Sequence, residues 1–294
     1  MTTRQWLAFL ALTLIWGASF LWIKLAVREI DPFTVVTLRL AMALVALAGI
    51  LAYKRPGFPK SARAWGVLLA QGLMSTAVPW IMITWAEVHI DSALATVLNG
   101  VVPLFTIIIA HFTLSDDRMT RRRISGLLVG FCGVLVLVQK DLRFAWGGDE
   151  SVHMALLGQL AMLGSSFFYA ASNVYGRAKF RGVPPIYQAF YTMLAADAVM
   201  WIVTPAIESP FTIPSHPLTW LAIAWLGMLS AGFAYLLFYY LLHQIGPTRV
   251  ATVTYTIPVV GVTLGVVFLH EALTWQLVVG TALIVSGVWS VTKR

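Results

Sequence analysis

Ten apolar segments constrain this chain more than any other feature; they lie near residues 5–28, 33–53, 64–87, 92–113, 122–139, 154–177, 186–206, 217–242, 248–269 and 274–291. Each approaches the roughly 20 apolar residues that a helix needs to cross about 30 Å of hydrocarbon. Together they take up most of the 294 residues, leaving no room for a separate soluble domain. Composition points the same way, because 59% of residues are hydrophobic and only 11% are charged, too few polar side chains to cover a water-soluble surface. The reading is an all-α integral membrane protein of ten transmembrane helices. Turn chemistry separates the segments at Asp31-Pro32, Pro56-Gly57, Gly147-Gly148, Pro184-Pro185, the Pro205 to Pro217 stretch and Gly246-Pro247. The first segment is too long for a signal-peptide core and its sequence recurs later, so it is read as a retained helix.

The formal charge of +8 does not describe a nucleic-acid surface, since the Lys and Arg are scattered among apolar runs instead of forming a continuous patch. Their sidedness is informative. With ten spans, the side carrying both termini holds Lys54, Arg55, Arg118, the Arg121-Arg122-Arg123 run, Lys179 and most other cations. The opposite side holds only Lys24, Arg28, Lys140 and Arg143, and Arg39 is left inside a span. Cytoplasmic loops carry the cationic excess, which predicts cytoplasmic termini.

Several function classes lose support. The single cysteine, Cys132, has no intrachain partner, and His111 and His243 are isolated, so neither a disulfide framework nor a metal site is expected. There is no His-Glu-x-x-His run, no close carboxylate pair on one intramembrane face and no Ser-His spacing with a third orienting group, so no enzyme is expected. A Walker motif is absent, which excludes direct ATP hydrolysis, and no cofactor is implied. Channels usually carry repeated pore-lining charges or carbonyl-rich filter loops, and neither is found.

The second half instead repeats the first. Trp16-Gly17-Ala18-Ser19 falls on Tyr169-Ala170-Ala171-Ser172, Ser75 on Ser230, Trp80 on Tyr235, Pro103 on Pro258, Thr120 on Thr274, Gly126 on Gly280 and Gly133 on Gly287. The implied units are 1–145 and 146–294. Five spans per copy is an odd number, so the second copy enters the membrane from the other side. Two inverted five-helix repeats of this kind typify secondary transporters, in which two states of opposite access are near mirror arrangements of one packing.

These residues resemble the EamA-type branch of the drug/metabolite transporter superfamily, over nearly the whole chain. The marks are Trp16-Gly17 followed by Ser19-Phe20, Arg39 early in the second helix, and a duplicated set of helix proline, acid-x-x-Thr step and glycines seven apart. The set reads Pro103, Asp117-Arg118-Met119-Thr120, Gly126 and Gly133 in one half, and Pro258, Glu271-Ala272-Leu273-Thr274, Gly280 and Gly287 in the other. The resemblance implies an exporter in a bacterial inner membrane, with a central cavity lined by helices 1, 3, 4, 6, 8 and 9 and with helices 5 and 10 peripheral. It is most similar to bacterial exporters of aromatic and other neutral amino acids; broad drug efflux and nucleotide-sugar transport are alternatives within the fold. Asp117 stands where the family usually has Glu, and Ala272 where its motif has Arg, departures that bear on loop salt bridges.

The repeat also nominates a substrate site. Trp80 and Thr84 are four apart on helix 3, as are Tyr235 and Tyr239 on helix 8, so each pair shares a face. Trp16 and Ser19 correspond to Tyr169 and Ser172, with Asn173 adjacent. Such aromatic walls suit an amphipathic solute. Pro103 and Pro258 have no N–H for the carbonyls of Asn99 and Thr254, which frees two acceptors at matched depths for the ammonium group of an amino acid, with Asn99 and Asn173 supplying further polar contacts. Tyr255 joins this set, and Pro79 joins Pro103 and Pro258 as kink or gating positions. Lys24, Arg28 and Glu87 are read as anchors that snorkel to the surface, and Asp197 as half of a structural pair with a neighbouring helix. Glycines in helices 5 and 10 permit close approach, through packing within a monomer or a homodimer contact.

Overall fold

In the computed structural model, description covers residues 1–52, 59, 61–113, 119–144, 149–209, 211–246, 250 and 252–292, with the backbone alone at 140, 142–144, 239 and 243. Outside it lie Lys54, Arg55, Pro56-Gly57, Lys60, Asp117-Arg118, Gly147-Gly148, Pro247, Arg249, the terminal Lys293-Arg294, the boundary between the halves, and the side chains of Lys140, Arg143, Tyr239 and His243.

The described residues form helices and no strand. Nine are long and apolar enough to cross a membrane. They are α1 (Thr3–Ala26), α2 (Pro32–Leu51), α3 (Ala62–His89), α4 (Ser92–Thr113), α5 (Arg121–Phe144), α6 (Glu150–Lys179), α7 (Pro185–Ile207), α8 (Pro217–Leu242) and α10 (Trp275–Thr292). Between the last two lies a shorter apolar helix, α9 (Val253–Leu269). Local chemistry fixes their starts: the Thr2 side chain accepts from the Gln5 N–H in a reciprocal capping box, Ser61 and Asp149 cap α3 and α6, and Pro32, Pro185 and Pro217 open α2, α7 and α8. α6 runs beyond its apolar core because its caps, Asp149 at the start and Phe180 at the end, and not hydropathy, bound the helix. At the end of α8, Gly246 takes φ 79°, a left-handed conformation that glycine adopts without strain.

Amphipathicity is inverted relative to a soluble bundle. Leu10 and Leu14 on α1, Leu128 and Leu135 on α5, Ile202 on α7 and Phe268 on α9 are exposed on the outer faces, where in water they would form an aggregating surface. Lipid is their natural solvent. The bundle interior buries large apolar side chains such as Leu40, Leu98 and Met162 together with hydroxyls such as Thr34, Thr37, Thr96, Ser165 and Ser166.

The glycine stripes of α5 and α10 pack on each other within the chain. A Cβ on Gly126 would stand 2.9 Å from the Gly287 carbonyl, and one on Gly133 would stand 2.9 Å from the Gly280 carbonyl. As the number rises along α5 it falls along α10, so the two helices run antiparallel. Contacts in one half also have counterparts in the other: α3 packs on α6 and α8 on α1, while α2 packs on α8 and α7 on α3. Among the described residues each half has one widened π-helical stretch, Leu73–Ala77 in α3 and Trp225–Phe233 in α8, which contain the matched Ser75 and Ser230.

The three prolines behave differently. Pro79 directly follows the first π stretch, whose wider turn accommodates its missing N–H. Pro103 follows a break in α4 at Gly100-Val101, where the Gly100 N–H turns back to the Val97 carbonyl at 2.9 Å. Pro258 sits inside α9, with no break of the helix beside it. The difference is Gly100 itself, a weak helix former whose counterpart in α9 is Tyr255.

Carboxylates tie the turns together at the end of the bundle opposite the termini. Glu208 accepts from the Phe33 and Thr34 N–H groups at the start of α2, each at 2.8 Å, and Glu271 accepts from the Ser92 and Ala93 N–H groups at the start of α4, also at 2.8 Å. Glu29 accepts from Ser215, His216 and Thr219 at the start of α8. Negative charge at a helix start satisfies otherwise orphaned donors and meets the positive end of the dipole.

Candidate functional site

A cavity of about 310 Å3 lies inside the bundle, lined by residues of α1, α2, α3, α4, α6, α8 and α9. It adjoins a second hollow of about 310 Å3 that shares Trp16, Ser75, Tyr169, Asn173 and Tyr235 and continues past Gln71, Pro185 and Gln188. Those last residues lie in the early turns of α3 and α7, toward the end that bears the termini. A larger hollow of about 510 Å3 lies among the turns at the opposite end, around His89, Asp141 and Trp275, and includes none of the residues matched between the halves in the central cavity.

Most of the nominated residues meet here. Trp16 lines the cavity, donates from Nε1 to the Ser230 carbonyl at 3.1 Å and meets the Tyr235 ring edge-on at 6.1 Å between centroids. The Ser19 hydroxyl lies 2.9 Å from that of Ser230. Trp80, Tyr169 and Tyr235 supply further aromatic wall, and Asn99, Asn173 and Thr254 supply polar edges. Ser172 lines the adjoining hollow, where its hydroxyl donates to the Tyr169 carbonyl at 3.0 Å.

Three residues part from this set. Thr84 is fully buried away from the cavity, and its hydroxyl donates to the Trp80 carbonyl at 2.7 Å. It lies one turn beyond Trp80 on α3, next to Ile83, which does line the space. Tyr255 faces a neighbouring hollow of about 290 Å3 that includes Pro103, and its hydroxyl bonds to Thr292 on α10. The Tyr239 side chain lies outside the described residues.

Two expectations about charge need correction. Glu87 does not reach a surface: it is fully buried, and neither carboxylate oxygen has a hydrogen-bond partner. The last turn of α3 is covered by α6, and Lys24 donates instead to the carbonyls of Glu87 and Ile90 that end this helix. Asp197 makes no ion pair among the described residues, and its Oδ1 has no partner. Arg28, by contrast, is exposed, as an anchor should be.

Sequence reasoning left Arg39 without a role and passed over Ser75 and Ser230, although the last two were matched across the repeat. Arg39 is 6% exposed, lines the cavity, and places its guanidinium 3.7 Å from the centroid of the Trp80 ring. Its Nε has no hydrogen-bond partner. Stacking on an aromatic face is worth about 0.5–2 kcal/mol, whereas removing an ion from water costs several kcal/mol. The ring does not offset the burial. The signal for Arg39 was present in the sequence as a charge left inside a span. Asn99 is orphaned in the opposite sense, since its Oδ1 acceptor is buried without a donor. Among the described residues no group of three or more His, Cys, Asp or Glu could hold a metal ion.

A lipid-facing helical bundle around a chamber with aromatic walls and unpartnered polar atoms defines a membrane carrier of small solutes. Comparison with known proteins agrees, and the chain belongs to the EamA-like transporter family, whose profile matches residues 4–139 and again 156–293. It is similar to an uncharacterized transporter of Bacillus subtilis strain 168, YoaV, at 26% identity over 96% of this chain and 94% of the relative. A probable amino-acid metabolite efflux pump of Escherichia coli strain K12 is 24% identical over 98% of this chain and 95% of the pump. A solved crystal structure shares the fold with a TM-score of 0.66 at 20% identity, over 99% of this chain and 98% of that one. Family and relatives indicate a transporter rather than an enzyme, with a small-molecule substrate and a lipid surround.

Proposed function

We propose that this protein is a secondary transporter that exports neutral and aromatic amino acids, or closely related metabolites, by alternating access through the central chamber. The observation that carries the reading is the chamber itself. Its volume of about 310 Å3 falls within the range of about 300–1,000 Å3 usual for small-ligand sites, and Trp16, Trp80, Tyr169 and Tyr235 wall it. An amphipathic solute presents an apolar side chain to such walls and a polar head to Asn99 and Asn173. The name of the similar Escherichia coli protein supports the substrate class.

Alternating access draws on the architecture. Two five-helix units, 1–145 and 146–294, set in opposite orientation account for the antiparallel crossing of α5 and α10, for the paired contacts between halves and for the two π stretches. The chamber continues toward the end bearing the termini, which the charge bias makes cytoplasmic, while carboxylate caps tie the opposite end shut. This is the geometry of a state that receives solute from a bacterial cytoplasm, in an inner membrane. The α5–α10 glycines are used within the chain, so a monomer suffices and no homodimer contact is required of them.

Counterflow in liposomes reconstituted with the purified protein tests the reading. Labelled tryptophan, phenylalanine, leucine and lysine should separate into carried neutral and excluded cationic solutes. Accumulation of none of the neutral amino acids above protein-free liposomes would refute export of this class.

A further inference from the structure

We propose that Arg39 is the anion-recognising group of the chamber and that the solutes this protein takes carry a carboxylate, which the guanidinium receives. The inference rests on the export reading for its transport consequence, but its binding consequence stands apart from it.

Three observations meet at this residue. Arg39 is buried within a lipid-facing bundle, yet it makes no ion pair and its Nε has no hydrogen-bond partner among the described residues. It lines the central cavity from α2. Its guanidinium carbon stands 3.7 Å from the centroid of the Trp80 ring, and an aromatic face holds the guanidinium plane without using its N–H groups. The charged or ionisable groups in its surroundings are Tyr169 on α6, Tyr235 on α8 and Glu87 on α3. Both tyrosines line the same cavity, whereas Glu87 is buried outside it. An intramembrane cation without a counter-ion is a functional group whose counter-ion arrives from elsewhere, and the chamber that Arg39 lines offers it a route.

The polarity of the chamber narrows the ligand. Asn99 Oδ1, an acceptor, is unpartnered and lines the same cavity. A solute with a carboxylate for Arg39, a donor group for Asn99 and an apolar body for the aromatic walls satisfies every orphan at once. An amine lacking the carboxylate leaves the guanidinium buried and unpaired, and its own positive charge is repelled by Arg39. The carboxylate is therefore the discriminating feature, and the charge-assisted, two-pronged geometry that Arg offers to it is not reproduced by Lys.

The test compares tryptophan, indole-3-propionate and tryptamine, which share the indole body and differ in their charged groups. Equilibrium binding of the radiolabelled compounds to purified protein in detergent is measured beside liposome counterflow, for the wild type, Arg39→Gln and Arg39→Lys. Wild-type protein should bind both carboxylates and prefer tryptophan to tryptamine by roughly ten- to a hundredfold, the value of one charge-assisted contact. Arg39→Gln should erase that preference by losing the carboxylates, with tryptamine binding unchanged or improved. Arg39→Lys should weaken carboxylate binding about tenfold, because charge remains but the fork is gone.

Carboxylate binding lost in Arg39→Gln without wild-type counterflow would uphold the anion site and defeat the export reading. Counterflow that carries tryptamine as well as tryptophan in the wild type, or a tryptophan preference kept by Arg39→Gln, would overturn the role of Arg39 and leave export standing. If Arg39→Gln does not fold, Arg39→Lys decides: unchanged carboxylate affinity there overturns guanidinium recognition.

Discussion

At the end opposite the termini, carboxylates from distant turns accept from the N–H groups of three helix starts, while in the central chamber Arg39 Nε and Asn99 Oδ1 have no partner. The capping carboxylates of Glu29, Glu208 and Glu271 come from turns far away in sequence, and each closes on a helix start in another part of the chain. Saturated polar groups hold one arrangement. Unsaturated ones in a low-dielectric interior await a ligand, because a buried donor or acceptor without a partner is costly. On the proposed reading, the contrast separates a part of the bundle that keeps its shape from a part that receives a solute.

The largest effect should come from breaking the closed end. Glu271→Ala strips the acceptor from two N–H groups of α4, and loss of hydrogen bonds to a charged group predicts destabilisation of about 1.5–3 kcal/mol. A lowered thermal midpoint in detergent would register it, whereas an unchanged midpoint would mean that water replaces the carboxylate at no cost.

Asn99→Ala should behave in the opposite way. Removing an orphaned acceptor cannot break a bond, so the midpoint should hold or rise, while counterflow of neutral amino acids should fall about tenfold, the worth of one polar contact. Loss of stability with intact transport would place Asn99 among the structural groups and blur the contrast.

A smaller effect is a difference of sign within the closed end. Hydrogen bonds from Thr219 and Ser215 hold the Glu29 carboxyl down to about 2, so its contribution to stability is present above the ordinary carboxylate value and lost as pH falls toward 2. Burial raises the Glu271 carboxyl against its backbone hydrogen bonds, so its contribution is present below the ordinary value and lost as pH rises through the raised one. Thermal midpoints followed from acid to neutral pH should therefore lose a rising component in Glu29→Gln and a falling component in Glu271→Gln. Identical profiles in the two variants would remove the distinction.

The smallest effect belongs to Thr84→Val. With its hydroxyl spent on the Trp80 carbonyl and no access to the chamber, this change should cost less than about 1 kcal/mol and leave solute range untouched. Altered selectivity in counterflow would return Thr84 to the site.

Much of the cavity lining could be read from the sequence, because Trp16, Ser19, Trp80, Tyr169 and Tyr235, which were matched across the repeat, line one cavity. What could not be read was depth. Thr84 shares a face with Trp80 by helical spacing, yet its hydroxyl is bonded to the Trp80 carbonyl and it lines no part of the chamber, and spacing along a helix says nothing about where neighbouring helices seal a cavity. Arg39 was visible as a charge inside a span, but α2 is not among the helices that the family resemblance assigns to the lining.

By itself the sequence determined that this chain lives in lipid, how its helices begin, that its halves repeat, and which glycines can touch, since these follow from the length of apolar runs, capping residues and side-chain size. Only the tertiary structure decided that Glu87 is sealed beneath α6 while Lys24 takes the helix end, that α4 breaks at Gly100-Val101 ahead of Pro103 while α9 runs on through Pro258, and that Arg39 meets Trp80 without a counter-ion among the described residues. Those outcomes depend on how each helix is rotated about its axis and how deeply it sits against its neighbours. Rotation and depth are set by packing among many side chains at once, a quantity that no single segment encodes.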